Sequence, residues 1–300
     1  MLKKITKFVL YFFGALAVLL AILLLPAHLQ IRQIQPILPS AEQIASKFND
    51  TETPVSIRYI ATAEQPLPDD GILGHMVVVI EWADGKTFLI DSGMDKAAAA
   101  AFGEPFEQFF GAGKSVNYGA VEELMGDEVQ KVKGVGFTHL HIDHTQGITG
   151  LCEIIEGKAA IFQTSDQFAE QNIHTSEGQE LVQQSQCEKS VLAAQAVKPV
   201  PGFPGLYAIA AGGHTPGSTV WVTKIQNQIW LFAGDISVTQ DLLHKGEGNG
   251  FIYSYLIVPE DTQRLVDLRA WLSDMDARDD MSVLVAHDLK SYRASTLKAY

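Results

Sequence analysis

The pattern of apolar and polar positions divides the chain into three parts. Residues 8–25 form an unbroken apolar run near the start of the chain. Such a run has the length of a membrane-spanning helix and exceeds the apolar core of about 7–15 residues that is usual for a signal peptide. The pattern predicts a membrane anchor or signal segment over residues 1–30, a linker with a short helix over 31–54, and one folded domain over 55–300.

The charges that flank the apolar run predict its orientation. Lys3, Lys4 and Lys7 precede the run, and positive charges stay on the cytoplasmic side of a membrane. An uncleaved helix would therefore hold the domain outside the cytoplasm as a single-pass protein of the cytoplasmic membrane. A cleaved signal, with the domain secreted or periplasmic, is the less favoured alternative, because the residues around Ala27 supply only one of the two small residues that cleavage needs.

Apolar stretches within the domain predict strands and amphipathic helices in mixed order. Asp84-Gly85 and Gln226-Asn227 each separate two predicted strands, as hairpin turns do. These hairpins predict largely antiparallel pairing, with helices covering the sheets. The predicted strands are 76–82, 87–90, 132–137, 218–225, 228–232 and 282–286, and the predicted helices are 41–48, 97–101, 121–125, 147–155 and 262–275.

Composition and net charge limit the kinds of molecule that the protein is expected to bind. The chain is 47% hydrophobic and has a net charge of −13, and we find no basic stripe that could follow a nucleic-acid backbone. We therefore expect a small-molecule substrate and no nucleic acid, and the oligomeric state stays open. The two cysteines, Cys152 and Cys187, either form a disulfide outside the cytoplasm or remain buried free thiols.

One short segment concentrates side chains that bind metal ions. His139, His141, Asp143 and His144 form an H-x-H-x-D-H string directly after a predicted strand. His139 and His141 are two residues apart and project to the same side of an extended segment. Imidazole nitrogen and carboxylate oxygen are ligands that a divalent ion such as zinc prefers. The string predicts a metal centre with ligands for two adjacent ions.

Three further candidate ligands lie at turns or strand ends. His214 lies in a glycine- and proline-rich turn, Asp235 follows a predicted strand, and His287 ends the last predicted strand. Polar residues at strand ends meet at a common rim, although each of the three, taken singly, also fits a turn, a helix cap or a surface position. The remaining histidines that we considered are predicted not to bind metal: His75, His174 and His244.

Taken in order, these motifs resemble those of the metallo-β-lactamase superfamily. The resemblance also includes the segment Leu89 to Met94 and extends over about residues 55–288. It implies an α/β (α+β) fold, a four-layered αββα sandwich, with a two-metal site at one edge of its paired sheets. It also implies two Zn²⁺ ions per chain.

The resemblance further implies a role for each candidate residue. It implies two ligand sets joined by one bridge: His139, His141 and His214 for one zinc ion, Asp143, His144 and His287 for the other, and Asp235 for both. Asp91 would support the site through hydrogen bonds rather than bind metal. Two such ions can share a hydroxide that attacks a carbonyl carbon, and Asp143 would orient it or pass a proton to the leaving group.

Departures from family patterns favour the lactonase and glyoxalase II-like group. Asp235 argues against a true β-lactamase, and His141 argues against the flavin-associated di-iron members. Quorum-quenching lactonases carry a tyrosine three residues after the bridging aspartate, where this chain has Val238. The leading prediction is a zinc-dependent hydrolase of an ester, lactone or thioester. The alternatives are an enzyme like the mononuclear iron persulfide dioxygenases and a hydrolase of the phosphotriesterase or β-lactamase type.

Substrate contacts are not assigned by any motif. Two groups of aromatic residues are candidates: Phe102, Phe106, Phe109, Phe110 and Tyr118 in the first, and Tyr253 and Tyr255 in the second. The first group either lines an apolar pocket or fills a helix core. The second group is a candidate for contacts with the oxyanion or the leaving group.

Overall fold

The computed structural model describes residues 2–49, 51–68 and 70–300. The strands are β1 (Ser56–Pro66), β2 (Ile72–Glu81), β3 (Thr87–Ile90), β4 (Val116–Asn117), β5 (Val132–Gly136), β6 (Ala160–Gln163), β7 (Glu188–Val191), β8 (Lys198–Pro199), β9 (Leu206–Ala210), β10 (Thr219–Ile225), β11 (Gln228–Phe232), β12 (Met281–Leu284) and β13 (Lys298–Ala299). Each predicted strand is present with bounds close to those expected.

Helices alternate with these strands. They are α1 (Leu2–Ile31), α2 (Ala41–Ala45), α3 (Lys96–Phe109), α4 (Val121–Met125), α5 (Ile142–Thr145), α6 (Ile148–Ile154), α7 (Ser165–Ala169), α8 (Ser176–Gln184), α9 (Gln240–Lys245), α10 (Thr262–Asp276) and α11 (Leu289–Ala294). Short 3₁₀ helices span Ser46–Phe48, Gly126–Lys131 and Gly234–Ile236, and a π-helix spans Tyr253–Ile257.

Within the described residues the strands form two sheets. The larger has the order β13-β1-β2-β3-β5-β6-β7, with β4 paired to β1, and the smaller has the order β12-β11-β10-β9-β8. The expectation of largely antiparallel pairing was wrong for one half of the larger sheet, where β3, β5, β6 and β7 pair in parallel. Helical crossovers connect these strands, and a crossover returns the chain in the same direction, whereas a hairpin reverses it.

Three apolar clusters show how the layers pack. One lies between the sheets and includes Phe88 and Trp221. A second covers the outer face of the larger sheet with residues such as Leu151 of α6. The third covers the outer face of the smaller sheet with residues such as Leu268 of α10 and Ile44 of α2. The order helix, sheet, sheet, helix confirms the predicted αββα sandwich.

The N-terminal helix continues directly into the folded body. Leu10–Ile31 of α1 is long and apolar enough to span a membrane, with a mean hydropathy of 2.5. Its last turn is not free, because Ala27, His28 and Ile31 are buried against the domain. The three-part domain division remains a prediction.

The segment predicted as a linker is packed along the smaller sheet. Ser40 caps α2 through the predicted capping box with Gln43. The indole of Trp271 donates a hydrogen bond of 2.8 Å to the Pro39 carbonyl, and Arg264 donates one of 2.6 Å to the Pro36 carbonyl. These contacts fix the path of the chain between α1 and β1.

A disulfide joins Cys152 of α6 to Cys187, which directly precedes β7. Of the two possibilities that the sequence leaves open, the structure has the disulfide. It ties the outer helical layer to the edge of the larger sheet.

Candidate metal centre

The candidate ligands lie at one edge of the sandwich because the strands that precede them end there. β3 and β5 run in parallel in the larger sheet, and β11 and β12 run in parallel in the smaller one. Asp91, His139, Asp235 and His287 follow the carboxyl ends of these four strands in turn, and His214 lies in the connection from β9 to β10. The fold therefore gathers residues that are far apart in sequence.

In the first histidine cluster, the two histidines of the H-x-H motif lie next to His214 of the β9–β10 connection. His139 Nε2 lies 3.0 Å from His141 Nδ1, and His214 Nε2 lies 3.3 Å from the same atom. Asp235 Oδ2 lies 3.9 Å from His139 Nε2 and 3.7 Å from His214 Nε2. These four residues form a group that could hold a metal ion.

The second cluster shares Asp235 with the first. His287 Nε2 lies 3.1 Å from Asp235 Oδ2, and His144 Nε2 lies 3.5 Å from Asp235 Oδ1. Asp143 Oδ2 completes the cluster at 3.4 Å from the Nε2 atoms of both histidines. All seven candidate ligands therefore converge, with Asp235 between the two groups.

Hydrogen bonds to the far ring nitrogens fix three of these histidines. His144 Nδ1 donates to Asp91 Oδ2 at 2.9 Å, His214 Nδ1 donates to Glu260 Oε1 at 2.7 Å, and His287 Nδ1 donates to the Gly74 carbonyl at 2.7 Å. Each bond fixes the tautomer that leaves Nε2 facing the centre. Metal-binding histidines in proteins are usually oriented in this way.

Asp91 supports the loop that carries the H-x-H motif. Its Oδ1 accepts a hydrogen bond of 2.7 Å from the Thr138 backbone amide, and its Oδ2 accepts one of 2.9 Å from the Thr138 hydroxyl. Asp91 has a φ of 66°, a left-handed conformation that Asp tolerates better than most residues and that often occurs at functional sites. These contacts hold Thr138 in place, and the role of Asp91 in supporting a metal centre remains a prediction.

The electrostatics of the site match a divalent cation. Burial and neighbouring histidines, His214 foremost, lower the pKa of His141 to about 3, so its imidazole is neutral and has a free lone pair. Burial opposes a charge on His144, but the carboxylates of Asp143 and Asp91 outweigh it and raise the pKa of His144 to about 10. The adjacent histidines keep the pKa of Asp235 below its usual value despite burial. His141 and Asp235 are therefore in the states that bind metal, whereas the carboxylates around His144 hold a proton there that a bound cation would have to displace.

Unsatisfied buried atoms provide a test of whether these residues fit metal ions. His141 Nε2, His144 Nε2 and Asp235 Oδ1 are buried without a hydrogen-bond partner among the described residues. Leaving such polar atoms unpaired costs about 1–3 kcal/mol each. Two of these atoms, His144 Nε2 and Asp235 Oδ1, lie within the second cluster, where a bound cation would satisfy them.

Two residues at the site were missed by sequence reasoning. Glu260 gave no signal beyond its position just before α10. His75 was predicted not to bind metal, yet its Nδ1 lies 3.4 Å from Asp143 Oδ2, and His75, Asp143 and His287 form a further group that could hold an ion. Nearly all residues of β2 are buried, so its sequence alone does not predict which of them faces a loop that is distant in sequence.

The aromatic candidates fall into two arrangements. Rings of Phe102, Phe106 and Phe110 follow one another at 5.6 Å and 5.9 Å between centroids, and Phe102 packs edge-on against His75 at 5.2 Å. Burial and the carboxylates, Asp235 first, raise the pKa of Tyr253. Tyr255 instead stacks on Phe251 and His28, away from the clusters.

Comparison with known families agrees with this geometry. The family described as "Metallo-beta-lactamase superfamily" matches residues 70–298. The chain belongs to that superfamily. The prediction of a metal-dependent hydrolase of the metallo-β-lactamase fold is thereby confirmed.

Solved structures of several metallo-β-lactamase-fold proteins resemble this one. An N-acyl homoserine lactone hydrolase with the product N-hexanoyl-L-homoserine at its catalytic metal centre has 15% identity and a TM-score of 0.58, over 82% of this chain and 98% of that chain. An AiiA mutant from B. thuringiensis with N-decanoyl-L-homoserine at its active site has 15% identity and a TM-score of 0.57, over the same shares.

A probable metal-dependent hydrolase from Staphylococcus aureus is also similar. It has 16% identity and a TM-score of 0.54, over 79% of this chain and 90% of that chain. No curated protein matches the chain in sequence. At these identities the likeness to solved structures shows the shared fold.

Proposed function

We propose that the protein is a two-zinc hydrolase that cleaves an ester, lactone or thioester bond in a small molecule. The observation that carries the proposal is the position of Asp235 between two buried histidine clusters. Its Oδ2 lies 3.7 Å from His214 Nε2 and 3.1 Å from His287 Nε2. A carboxylate shared in this way suits a pair of ions that act on both the attacking and the leaving oxygen.

The proposal divides the ligands as the family resemblance implies. In this proposal His139, His141 and His214 hold one zinc ion, Asp143, His144 and His287 hold the other, and Asp235 contacts both. Bound zinc would polarise the scissile carbonyl and lower the pKa of a water molecule toward neutrality. The nitrogen- and oxygen-rich donors fit zinc.

The surrounding residues orient substrate and move the proton. Asp143 Oδ2 faces the histidine nitrogens of the second cluster; in the proposal this carboxylate takes the proton that the attacking water gives up and passes it to the leaving oxygen or sulfur. Tyr253 donates from its hydroxyl to the substrate carbonyl or leaving group, because it keeps its proton at neutral pH. In the proposal Tyr253 has the role of a site tyrosine, since position 238 is valine.

The aromatic row on α3 supports an apolar substrate group. The rings of Phe102, Phe106 and Phe110 lead from His75 at the centre to the exposed surface. Such a wall suits an acyl chain, whose apolar surface gains about 25 cal/mol per Å² on burial. Acyl homoserines bound to structures of similar fold support acyl-bearing lactones as candidates among the three ester types.

Localisation outside the cytoplasm forms part of the proposal. An apolar helix follows three lysines, and a single-pass anchor with this charge pattern holds its body on the extracytoplasmic side. The disulfide between Cys152 and Cys187 supports the same compartment, because disulfides persist in oxidising environments.

A hydrolysis screen tests the proposed function. Zinc-loaded full-length protein in detergent is assayed against lactones, aryl esters, thioesters and phosphotriesters. The proposal predicts turnover of at least one acyl class and a loss of turnover, by orders of magnitude, in Asp143→Ala. Turnover of phosphotriesters alone would contradict it.

A further inference from the structure

His75 offers an additional donor at the second cluster. Its Nδ1 is buried and has no hydrogen-bond partner in the described part of the chain. It lies 3.4 Å from Asp143 Oδ2, the same separation that His144 Nε2 and His287 Nε2 keep from that oxygen. Two ligand atoms that are each about 2.0–2.1 Å from one ion are at most about 4.2 Å apart, so a separation of 3.4 Å is compatible with a shared ion.

The ring of His75 is held in this orientation by its neighbours. It packs edge-on against His287 with centroids 5.1 Å apart and against Phe102 at 5.2 Å. Adding a Cβ at Gly74 would meet the Met76 sulfur at 2.6 Å, so the strand backbone beside His75 is closely packed. We propose that His75 is a ligand of the ion held by Asp143 and His287, which gives the second site one imidazole more than the sequence motifs assign.

Cobalt substitution tests this assignment without relying on activity. The full-length protein is loaded with Co²⁺, and the wild type is compared with His75→Gln and with the control His174→Gln, whose ring is 6.2 Å from that of His141. A direct ligand predicts that the hyperfine-shifted signals of one imidazole disappear in His75→Gln and persist in His174→Gln. An unchanged set of shifted signals in His75→Gln would overturn the proposal.

A second inference concerns the surface around the end of α1. We define the apolar face as the exposed side chains Phe168, Ile173, Phe251, Ile252, Leu256 and Ile257. Phe251 is 68% exposed and Ile252 is 66% exposed, which is unusual for large apolar side chains. A cluster of this kind marks a site of interaction with a protein or a membrane.

Both segments that form the apolar face contact the last turn of α1. His28 Nε2 donates to the Tyr255 carbonyl at 3.2 Å, and the ring of His28 stacks on that of Tyr255 at 5.5 Å. Gln30 Nε2 donates to Glu170 Oε2 at 2.9 Å and to the Gln171 carbonyl at 3.0 Å. The apolar face therefore surrounds the point where the apolar helix joins the body.

The same two segments border the metal centre. His174 lies beside His141, which is less buried than the other six candidate ligands. On the other side, Ser254 Oγ donates to Glu260 Oε2 at 2.5 Å, and Glu260 holds His214. The centre therefore lies beside the apolar face, and His141 is its least buried candidate ligand.

The occupant of the apolar face follows from α1. A helix rises 1.5 Å per residue, so about 20 residues cross the bilayer core of about 30 Å. The apolar span ends at Ile31, within the turn that packs on the body, so the body has no spacer from the membrane. We infer that the apolar face lies on the lipid surface and that the metal centre takes long-chain acyl substrates from the bilayer. The substrate part rests on the proposed hydrolase function.

Depth-dependent fluorescence quenching tests whether the apolar face lies on the lipid surface. Phe251→Trp and Val55→Trp are each made in the full-length protein and reconstituted in vesicles with lipids brominated in the upper acyl chain. Val55 is a matched exposed apolar control, because it bonds to Glu81 at the opposite end of β2 from His75. The inference predicts several-fold stronger quenching for Phe251→Trp than for Val55→Trp. Equal quenching of the two would overturn it.

Chain-length dependence tests the substrate class separately. In the same vesicles, rates are compared for one ester or lactone headgroup that carries a short or a long acyl chain. The inference predicts a rate at least about tenfold higher for the long-chain substrate than for the short-chain substrate in these vesicles. Hydrolysis without chain-length preference would overturn the substrate class alone, whereas no hydrolysis of either would instead contradict the proposed function.

Discussion

Nδ1 of His214 donates a hydrogen bond of 2.7 Å to Oε1 of Glu260, and both side chains are buried. Glu260 also accepts a hydrogen bond from the Ser254 hydroxyl through Oε2. The carboxylate thus connects a candidate metal ligand to the π-helix that contacts the end of α1. It fixes the tautomer in which His214 Nε2 faces the centre.

Removal of this carboxylate should weaken metal binding while the fold persists. We expect Glu260→Gln to lower the affinity for one zinc ion by about 10–100-fold, because the supporting partners of metal-binding histidines have effects of this size. Ser254→Ala, which removes only the hydrogen bond from the Ser254 hydroxyl to Oε2, should have a smaller effect. Competition with a chromophoric chelator measures both, and unchanged affinity in Glu260→Gln would refute the positioning role.

The bridging role of Asp235 predicts a difference in metal content between two variants. Asp235→Ala should lose part of both sites, since this carboxylate lies within reach of both clusters. His287→Ala should retain about one ion, held by the first cluster. Metal analysis of the purified proteins, beside circular dichroism for the fold, measures the difference. Two ions retained in Asp235→Ala would contradict the bridge.

Asp91 should stabilise the fold as well as the site. Its carboxylate is 2% exposed and accepts hydrogen bonds from Thr138 and His144. Asp91→Ala leaves these donors buried and unpaired, so we expect a loss of about 2–4 kcal/mol in the free energy of unfolding. Asp84→Ala, in an exposed turn, is the control and should change stability little. Denaturant unfolding checks both, and equal stability of the two variants would exclude the role of Asp91.

The disulfide should contribute to stability according to the loop that it closes. Cys152 and Cys187 are 35 residues apart, for which loop-closure entropy predicts about 3–4 kcal/mol. Reductant should therefore lower the melting temperature of the wild type and leave the double variant Cys152→Ser/Cys187→Ser unchanged. A reductant effect of the same size in both proteins would show that the disulfide is not its source.

Much of the fold and the centre could be predicted because their signals are local. The H-x-H-x-D-H string places four candidate ligands within six residues, and few structural roles require that pattern. The strands β3 and β11 are short, mostly apolar runs with clear ends. The parallel order of the larger sheet could not be predicted as easily, since it depends on how the crossover helices pack.

Other features depend on contacts between distant residues. His75 meets Asp143 only because β2 begins at the edge where β5 ends. Glu260 meets His214 only because α10 begins beside the β9–β10 connection. The burial of the last turn of α1 likewise depends on the π-helix at Tyr255. No local pattern in the sequence encodes these pairs.

Zinc titration of the metal-free full-length protein tests the central claim most directly. Hydrolysis of an acyl lactone or thioester is recorded as zinc is added, with bound zinc measured in the same samples. A two-ion hydrolase predicts that the rate increases until about two zinc ions are bound per chain and then stays constant. The account would be contradicted by the absence of hydrolysis at two bound ions, or by an activity that requires one iron per chain and consumes oxygen.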